Sequence, residues 1–375
     1  MKLMLVRDRN VLNTNWLVYL ANLFIEQGHE VVIACDTYSK LGVCGVGYEI
    51  NPKVKVCNLN GKTKNAVVNV YRFIRGKIFP SWLRFNHLIK AENPDVIISY
   101  FPNDLYNIAP FQNYKAPIVQ MIHGWPPYVL NKTLKKNPMT KMWRKMCYKK
   151  VHTYQVLMNS FKNDIDSFFE PKNVVRIANP VKQYKDNELV DLGNEKKKII
   201  YVGRIEKKTK RPHLLVEAFA QIAKDFPDWK VELYGLAKYK DYNEEINNYI
   251  RDHGLEKQVC LAGYAKDMEA LYRTADIQAF PSACEGFSLA IADAMAIGLP
   301  HIGFKDAHSV NEIIVDGHNG FLADNVDDFA NKLRRLMEDK NLRIQFGKNA
   351  YEDMKAYAPE VIMQQWNELF KEITE

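Results

Sequence analysis

The stretch that decides the fold is ADIQAFPSACEGFSLAIADAMAIGLPHIGF, residues 275–304. ADIQAF is apolar and predicts a buried strand that ends near Phe280. Ser288 is a residue type favoured at helix N-termini, and the run of helix formers after it stops at Gly298, so this segment predicts a helix. LPHIGF predicts a second strand. Strand, helix and strand in this order form the repeating unit of a parallel sheet.

Two carboxylates, Glu285 and Asp293, lie in this stretch. Glu285 falls in the strand-to-helix loop, where Gly286 allows close approach of a ligand to the backbone and the first helix amides suit an anion such as phosphate. Asp293 lies about one and a half turns into the helix, so the two acids cannot touch the same atom. They suit the two ends of one extended, phosphate-containing ligand. The alternative is a surface helix with two solvated acids, which the apolar neighbours of Asp293 disfavour.

Strand and helix patterns alternate along the rest of the chain. LMLV, EVVIACD, PDVIISY and APIVQMI predict strands in the first half, and KKIIYVG, WKVELYG and QVCLAG predict strands in the second. This order predicts an α/β fold with two doubly wound parallel sheets. The length of 375 residues fits two domains. The polar, turn-rich segment before KKIIYVG predicts the boundary between a first domain of residues 1–180 and a second of residues 181–356.

Composition narrows the class of protein. Hydrophobic residues make up 47% and charged residues 26%, as in ordinary globular domains. No apolar run is long enough to span a bilayer, the start of the chain resembles a strand more than a signal peptide, and the six cysteines form no CxxC pair. These features predict a cytoplasmic protein.

The net charge of +8 is unevenly distributed. Residues 1–180 hold 25 Lys and Arg against 11 Asp and Glu, which gives +14 and leaves −6 for the remainder. The excess is concentrated in residues 62–90 and 132–150, which suit an anionic surface such as a membrane leaflet. The alternative is a solvated basic surface. A nucleic-acid partner is not expected, because no nucleic-acid-binding module is recognisable.

Ligands of doubly wound sheets bind at the carboxyl ends of the strands, so the loops after strands are the candidate site. The loop YVGRIEKKTKRP holds the cations Arg204, Lys207, Lys208, Lys210 and Arg211, which suit a diphosphate. The alternative is a solvated basic loop, and Arg204, beside Gly203 at the strand end, fits it least.

MIHGWPP places His123 after a strand of the first half, where a catalytic and a structural role are both open. Asp164 and Asp166 lie two residues apart in a helical pattern, so they point apart and predict no metal site. GxGxxG after the first strand, Walker A, HExxH and GxSxG motifs are all absent. Dinucleotide redox chemistry and nucleotide triphosphate hydrolysis therefore lack their usual signatures.

The three segments YVGRIEKKTKRPHLLVEAF, LAGYAKDMEALYRTADIQAFPSACEGFSLAIADAMAIGLPHIGF and NEIIVDGHNGFLAD together resemble the retaining nucleotide-sugar glycosyltransferases of family four. The resemblance is strong over about residues 179–325 and weaker before them. It implies the GT-B fold, with two Rossmann-like domains facing across a cleft. The C-terminal YAPEVIMQQWNELF is similar to the family's last helix, which implies that residues 357–375 return to the first domain.

The resemblance also implies site roles. The family's pair of acids eight positions apart falls on Glu285, implied to hold the donor sugar, and Asp293, implied to bind the ribose although it is one methylene shorter than the family's Glu. Gly203, Arg204 and Lys210 match the family's diphosphate-binding residues, and His123 matches its cleft-facing histidine. The donor cradle is completed by the backbone of the following residues: Gly286, Phe287, Ser288 and Leu289.

One segment departs from the family. Many members have a Gly-Gly loop after the first strand, whereas this chain has Arg7, Asp8, Arg9 and Asn10. Acceptor handling is therefore expected to be unusual, with Arg9 and Asn15 as candidate acceptor contacts.

The expected activity is transfer of a hexose or N-acetylhexosamine from a nucleotide sugar, with UDP the preferred nucleotide, to a hydroxyl of a glycan or lipid-linked acceptor. His123, Arg204, Lys210 and Glu285 are the candidate catalytic residues. Cations and the helix dipole stabilise the leaving diphosphate, so neither a metal nor a cofactor is expected, and the transfer is expected to be a front-face retaining one. The alternatives are a degenerate scaffold protein and a nucleotide-sugar epimerase of the same fold.

Overall fold

A computed structural model describes residues 1–7, 15–35, 49–59, 81–110, 112–134, 138–168, 173–236 and 240–375, apart from the side chains of Asn15 and Thr133. This part of the chain divides into two compact units. The first unit comprises Met1–Ala178 together with Ile362–Glu375, and the second comprises Asn179–Val361. Each unit is built around one parallel β-sheet.

The sheet of the first unit has seven strands in the order β3-β2-β1-β4-β5-β6-β7, and they pair in parallel. The chain starts at the centre, runs to one edge, returns to the centre and continues to the other edge. The strand order reverses between β1 and β4, which is where ligands bind in doubly wound sheets. The strands are β1 Lys2–Arg7, β2 Glu30–Cys35, β3 Lys55–Asn58, β4 Val96–Ser99, β5 Ile118–Ile122, β6 Thr153–Val156 and β7 Val174–Arg176.

Helices connect these strands. The described ones are α1 Asn15–Glu26, α2 Ser81–Glu92, α3 Pro102–Ile108, α4 Pro126–Leu134, α5 Pro138–Tyr148 and α6 Ser160–Asp166. In α1 the apolar residues Leu17, Leu20, Ala21 and Phe24 recur at helical spacing, and each is at most 1% exposed. Burial of this stripe is the main reason why the segment is a helix here.

The sheet of the second unit has the order β10-β9-β8-β11-β12-β13, also with parallel pairing. Counted from its own first strand, this is the same order as that of the first six strands of the chain, and it reverses between β8 and β11. The strands are β8 Lys198–Val202, β9 Lys230–Tyr234, β10 Val259–Gly263, β11 Ile277–Phe280, β12 His301–Phe304 and β13 Gly320–Ala323.

The helices that follow are α7 Pro212–Ala220, α8 Lys240–Asp252, α9 Met268–Arg273, α10 Leu289–Ala296, α11 Val310–Ile313, α12 Val326–Glu338, α13 Lys340–Met354 and α14 Pro359–Thr374. The part of α14 that belongs to the first unit packs on α1: the ring centroids of Trp366 and Phe370 lie 5.7 and 5.4 Å from that of Phe24. Asn367 Oδ1 lies 2.7 Å from His29 Nε2.

The stretch 275–304 folds as predicted, into β11, α10 and β12. Its helix stops where Gly298 adopts a φ of +85°, a conformation that glycine accepts readily. The sequence patterns did not predict the short strands β3, β6, β7 and β13. Each has only three or four residues, but length alone does not explain the difference, because the predicted strands β4, β11 and β12 are equally short. Within the described ranges, every helix is too short or too polar to cross a bilayer.

Candidate active site

The reversal of strand order in the first sheet gathers aromatic side chains around His123, which follows β5. The His123 ring centroid lies 4.1 Å from that of Tyr100 and 5.5 Å from that of Phe101, both of which follow β4. Its Nε2 is buried and has no hydrogen-bond partner among the described residues. Burial, and secondly the positive charge of Arg7, lower the pKa of His123 to about 3. The imidazole is therefore neutral at physiological pH.

A buried ion pair holds the aromatic residues Tyr100 and Phe101 in place. Arg7, the last residue of β1, places its Nη1 3.1 Å from Oδ1 of Asp104, a residue with no exposed surface. Asp104 also accepts a 2.7 Å hydrogen bond from the Phe101 backbone N–H at the start of α3. The Arg7 guanidinium lies 4.7 Å from the Phe101 ring centroid. Arg7 and Asp104 thus fix the loop that carries Tyr100 and Phe101, a role that the sequence analysis missed.

The corresponding reversal in the second sheet holds an ion pair between two predicted site residues. Lys210 Nζ lies 2.5 Å from Glu285 Oε1, and the two side chains are only 14% and 12% exposed. The Ser282 hydroxyl lies 2.5 Å from the same carboxylate oxygen. A low-exposure pair of this kind is electrostatically stronger than a surface pair, because water screens it less.

Several further contacts join the loop after β8 to the loop after β11. The Ala283 N–H donates a 2.8 Å hydrogen bond to the Thr209 carbonyl. Arg211 donates through Nε and Nη2 to the carbonyl oxygens of Pro281 and Ser282, at 3.0 and 3.1 Å. Lys210 and Glu285 therefore stand on two loops that are bonded to one another.

The five cations of the β8 loop divide into two groups. Arg204, Lys207 and Lys208 are exposed, and Lys207 pairs with the exposed Glu245. Lys210 and Arg211 are only 14% and 20% exposed. The exposure of all three fits the solvated interpretation, and Lys208 makes no ion pair with any described residue. Arg204 makes no ion pair with any described residue, so its guanidinium is available to a ligand.

Beside this loop, the backbone at Gly235 lies very close to the backbone at Gly203. Gly203, directly after β8, donates its N–H to the Tyr234 carbonyl at 2.9 Å. A Cβ on Gly235 would lie 1.7 Å from the Gly203 carbonyl oxygen, so only glycine fits at position 235. The close approach keeps Arg204 at the strand end.

Helix α10 begins directly after the β11 loop. Ser288 occupies the N-cap position, as its residue type predicts, but its side chain makes no capping hydrogen bond. The first amides of the helix are left to another acceptor. Phe287 and Ser288 are buried, Gly286 is half-buried and Leu289 is exposed. The Phe287 ring packs against Tyr357 at 5.4 Å between centroids.

Asp293 is half-buried on the inner turns of α10. Burial raises its pKa to about 7, against a smaller opposing effect of Lys182. Burial first, and then the charge of Asp293, raise the pKa of the Tyr272 hydroxyl. This hydroxyl donates a 3.3 Å hydrogen bond to the Ala290 carbonyl. No described residue pairs with the Asp293 carboxylate, which leaves it open to a ligand's hydroxyl groups.

Some of the predicted residues lie outside the part of the chain that the structure describes. Arg9 and residues 62–80 of the first basic segment fall outside the described residues. Asn15 is the first residue of α1, and its side chain is not described. Among the described His, Cys, Asp and Glu residues, no group of three or more could hold a metal ion.

Comparison with known proteins gives two consecutive family matches. Residues 14–183 match the model described as Glycosyltransferase Family 4, and residues 184–353 match the model described as Glycosyl transferases group 1. Together the two matches cover most of both units.

Relatives with curated names show the same class. The chain is 28% identical to the poly(ribitol-phosphate) alpha-N-acetylglucosaminyltransferase of Staphylococcus aureus over 57% of this chain and 41% of that protein. It is 24% identical to an undecaprenol-linked glycan alpha-1,4-N-acetyl-D-galactosaminyltransferase of Campylobacter jejuni over 95% of this chain and 94% of that protein. The chain spans about half or less of the length of the first curated relatives it matches.

Solved structures define the fold. HepE of Anabaena, in complex with UDP and glucose, superposes with a TM-score of 0.73 at 18% identity, over 99% of this chain and 100% of that one. The two doubly wound sheets and the superposition on HepE together show that the chain has the GT-B fold, as predicted. The chain belongs to the GT4-type glycosyltransferases.

Proposed function

We propose that this protein transfers a hexose or N-acetylhexosamine from a UDP-sugar to a hydroxyl group of a glycan or lipid-linked acceptor. The transfer retains the anomeric configuration and needs no metal. It takes place in the cytoplasm, at the inner face of the membrane, and serves cell-surface polysaccharide or glycolipid synthesis.

The observation that carries the proposal is the contact of Lys210 with Glu285 at the switch point of the second sheet. A nucleotide sugar has a diphosphate beside a ring rich in hydroxyls, so it needs a cation and a carboxylate side by side. Lys210 and the exposed Arg204 supply positive charge for the diphosphate. Glu285 accepts hydrogen bonds from the sugar hydroxyls, and the start of α10 offers amides to a phosphate oxygen.

Asp293 extends this donor site to the nucleotide. Its carboxylate, open to a ligand and one and a half turns along α10, suits the two ribose hydroxyls of a nucleoside. Ribose hydroxyls favour the ionised acid, because they donate to it. A bound nucleoside diphosphate therefore opposes the burial that raises the pKa of Asp293.

The names of relatives support the choice of donor and acceptor. HepE binds UDP and glucose, and the Campylobacter relative acts on an undecaprenol-linked glycan. UDP and a lipid-linked acceptor are therefore the ligands to test first.

The mechanism follows from the charges. When the sugar–phosphate bond breaks, negative charge grows on the β-phosphate, and Lys210, Arg204 and the positive end of the α10 dipole stabilise it. The acceptor hydroxyl attacks from the face that the phosphate leaves, and the phosphate oxygen takes its proton. His123, as a neutral imidazole, donates or accepts a hydrogen bond to a substrate hydroxyl and carries no charge of its own.

Calorimetry without metal tests the donor site. We expect wild-type protein to bind UDP more tightly than GDP, Arg204→Ala to lose most of this affinity, and Glu285→Ala to bind UDP normally but lose preference among UDP-sugars. Lys208→Ala, an exposed cation of the same loop, serves as the matched control and should bind like wild type. Absence of binding to every nucleotide would contradict the proposal and favour a scaffold role.

Product stereochemistry tests the retaining step separately. Proton NMR of the first product should show the anomeric configuration of the donor sugar. An inverted product, or a glycosyl group trapped covalently on any side chain, would overturn the front-face mechanism while leaving the donor site intact.

A further inference from the structure

Helix α5 presents an apolar face to solvent. Met139, Met142, Trp143 and Met146 are 76%, 61%, 38% and 59% exposed. Offsets of three, four and seven residues put these four side chains, here called the apolar stripe, on one side of the helix. A helix that packs on a globular core normally turns such a stripe inward.

The side of α5 that adjoins Trp143 is firmly packed, and the Trp143 ring centroid itself lies 5.5 Å from that of Tyr106. Cys147 and Tyr148 are 3% and 2% exposed, and the Tyr148 hydroxyl lies 3.2 Å from that of Tyr106. The Arg144 guanidinium lies 4.8 Å from the Tyr106 ring centroid. The helix is therefore held in place by Trp143 and the residues next to it, and the three methionines of the stripe stay exposed because of how the helix packs.

Positive charge lies along one flank of the stripe and at the C-terminal end of the helix. Lys141 and Lys145 on α5, and Lys149 and Lys150 directly after it, are all exposed. From residue 132 to residue 150 the chain has eight basic residues and no acidic one. The surface combines large apolar side chains with cations on flexible stems.

We propose that the apolar stripe and its four lysines dock on an anionic lipid bilayer, with α5 lying in the plane of the interface. Met and Trp side chains enter the boundary between headgroups and acyl chains, while lysine stems reach back to the lipid phosphates. The inference rests on the proposed function only in that a membrane would hold a lipid-linked acceptor.

Charge distinguishes the bilayer from the other candidate occupants. A second copy of this chain would bring two sets of lysines together across the stripe, and their repulsion disfavours such a dimer. The phosphates of a nucleic acid would pair with the lysines, but a nucleic acid has no apolar phase in which three exposed methionines could be buried. An anionic bilayer matches both the apolar and the cationic side chains.

Vesicle co-sedimentation tests the docking surface. Vesicles of phosphatidylcholine alone are compared with vesicles containing about 30% phosphatidylglycerol, at low and high salt. We expect binding only to the anionic vesicles, and a loss of at least about tenfold at high salt. Binding should also shift Trp fluorescence to the blue, and Trp143→Phe should remove most of that shift.

Two sets of variants separate the apolar from the charged contribution. Met139→Ser/Met142→Ser/Met146→Ser should weaken the partition coefficient at least about tenfold, as should Lys141→Gln/Lys145→Gln. Lys53→Gln/Lys115→Gln, the same charge change at exposed positions of the same unit outside both basic segments, is the matched control and should bind like wild type.

UDP titration of each variant shows that the protein is folded and tests the donor site independently of the membrane. Binding of UDP without binding to anionic vesicles would overturn the docking surface and the proposed location at the membrane, and would leave the proposed sugar transfer standing. Equal binding of wild type and stripe variants would also overturn it. So would a wild-type dimer, detected by ultracentrifugation without lipid, that the Met→Ser variant abolishes.

A second inference concerns Arg211, whose backbone adopts φ +48° and ψ +40°. This left-handed conformation favours glycine and costs other residues free energy. The Arg211 side chain compensates for the strain, because its guanidinium donates to the carbonyls of Pro281 and Ser282 at 3.0 and 3.1 Å. It also lies 5.0 Å from the Phe304 ring centroid.

We infer that Arg211 is a positioning residue that holds Glu285 at the distance from Lys210 that the donor sugar requires. Arg211 follows Lys210 in one loop, and the carbonyls that it binds lie three and four residues before Glu285 in the other. This inference rests on the proposed function, since it concerns the geometry of the same donor site.

Arg211→Gly and Arg211→Lys test this role. Glycine relieves the backbone strain and removes the clamp, so we expect nearly unchanged thermal stability and UDP affinity but a fall of about tenfold or more in kcat. Arg211→Lys keeps the positive charge but cannot donate to both carbonyls in the same geometry, so we expect its kcat to stay nearly as low as that of Arg211→Gly. Methylguanidinium added to Arg211→Gly should restore part of the rate.

Wild-type kinetics in the Arg211→Gly variant would overturn the inference. Equal loss of UDP affinity and kcat would also do so, since it would indicate general damage to the second unit. Failure of the proposed function is seen separately, as absence of UDP binding by the wild-type protein.

Discussion

At the reversal of strand order in the first sheet, aromatic rings surround a neutral imidazole, whereas at the corresponding reversal in the second sheet a lysine meets a carboxylate. His123 has its Nε2 buried and lies against Tyr100. Lys210 and Glu285 lie 2.5 Å apart on two loops that are bonded together. The first six strands of each sheet follow the same order.

The difference shows that the order of the strands does not determine which side chains lie at their carboxyl ends. Parallel strands bring their carboxyl ends to one edge of the sheet, and the reversal opens a crevice there. What the crevice binds depends on the few side chains in the loops. One crevice suits an uncharged part of a substrate, and the other suits a phosphate and hydroxyl groups.

The largest expected effect tests the charged site. Lys210→Met should lower kcat/KM for release of UDP from the preferred UDP-sugar by about 10²–10³, because the proposed mechanism assigns Lys210 to stabilise charge on the leaving phosphate. Lys207→Met, an exposed lysine of the same loop, should stay within about twofold of wild type. Similar losses in the two variants would show that the loop contributes only overall charge.

The next effect tests the aromatic site. His123→Phe should lower kcat by roughly 10–10² while leaving UDP affinity unchanged, because the imidazole lies in the unit that does not hold Lys210 and Glu285. Because the pKa of His123 is about 3, the wild-type rate should show no inflection near pH 6.5 that the Phe variant removes. Such an inflection would mean that the imidazole carries charge in the reaction.

A smaller effect concerns the pH dependence of the donor site. The pKa of Asp293 is about 7, so ionisation between pH 6 and 8 should raise UDP affinity by up to about tenfold. Asp293→Asn should remove this rise. Dividing the wild-type affinity by the variant affinity at each pH removes the effect of the titration of UDP itself, because that effect is the same for both proteins. A constant ratio across this range would contradict a ribose contact.

The same residue makes a prediction on stability. The pKa of Asp293 is raised by folding, so the native state holds its proton longer than the unfolded chain. Its contribution therefore favours the folded state at low pH and is lost as pH rises from about 4 to about 7. Asp293→Asn should raise Tm more at pH 8 than at pH 5, by a few degrees. Equal shifts at both pH values would contradict this linkage.

The smallest effect concerns Ser288. Loss of a side-chain cap typically costs about 1 kcal/mol, but the Ser288 hydroxyl makes no capping bond. Ser288→Ala should therefore change the free energy of unfolding by less than about 0.5 kcal/mol and UDP affinity by less than about twofold. A larger loss of UDP affinity would mean that the hydroxyl, and not the backbone amide, contacts the donor.

Long apolar strands and amphipathic helices were predictable because their periodicity extends over many residues. The segment 275–304 follows its predicted order of strand, helix and strand. Strand β6 was missed because its buried Thr153 and Gln155 are polar. Gln155 is accommodated only because its amide donates to the Val156 and Ile177 carbonyls, and such a partner cannot be seen from a local pattern.

By itself, the sequence determined the class of fold, the loops that carry chemistry and the residue types in them, because these depend on local periodicity and on short motifs. Only the tertiary structure decided that Lys210 meets Glu285, that Arg211 clamps one loop to the other, and that α5 turns its apolar stripe to solvent. These contacts join residues far apart in the chain or depend on which helix face is packed. Burial and partners, which set charge, pKa and availability, arise only when the chain is folded.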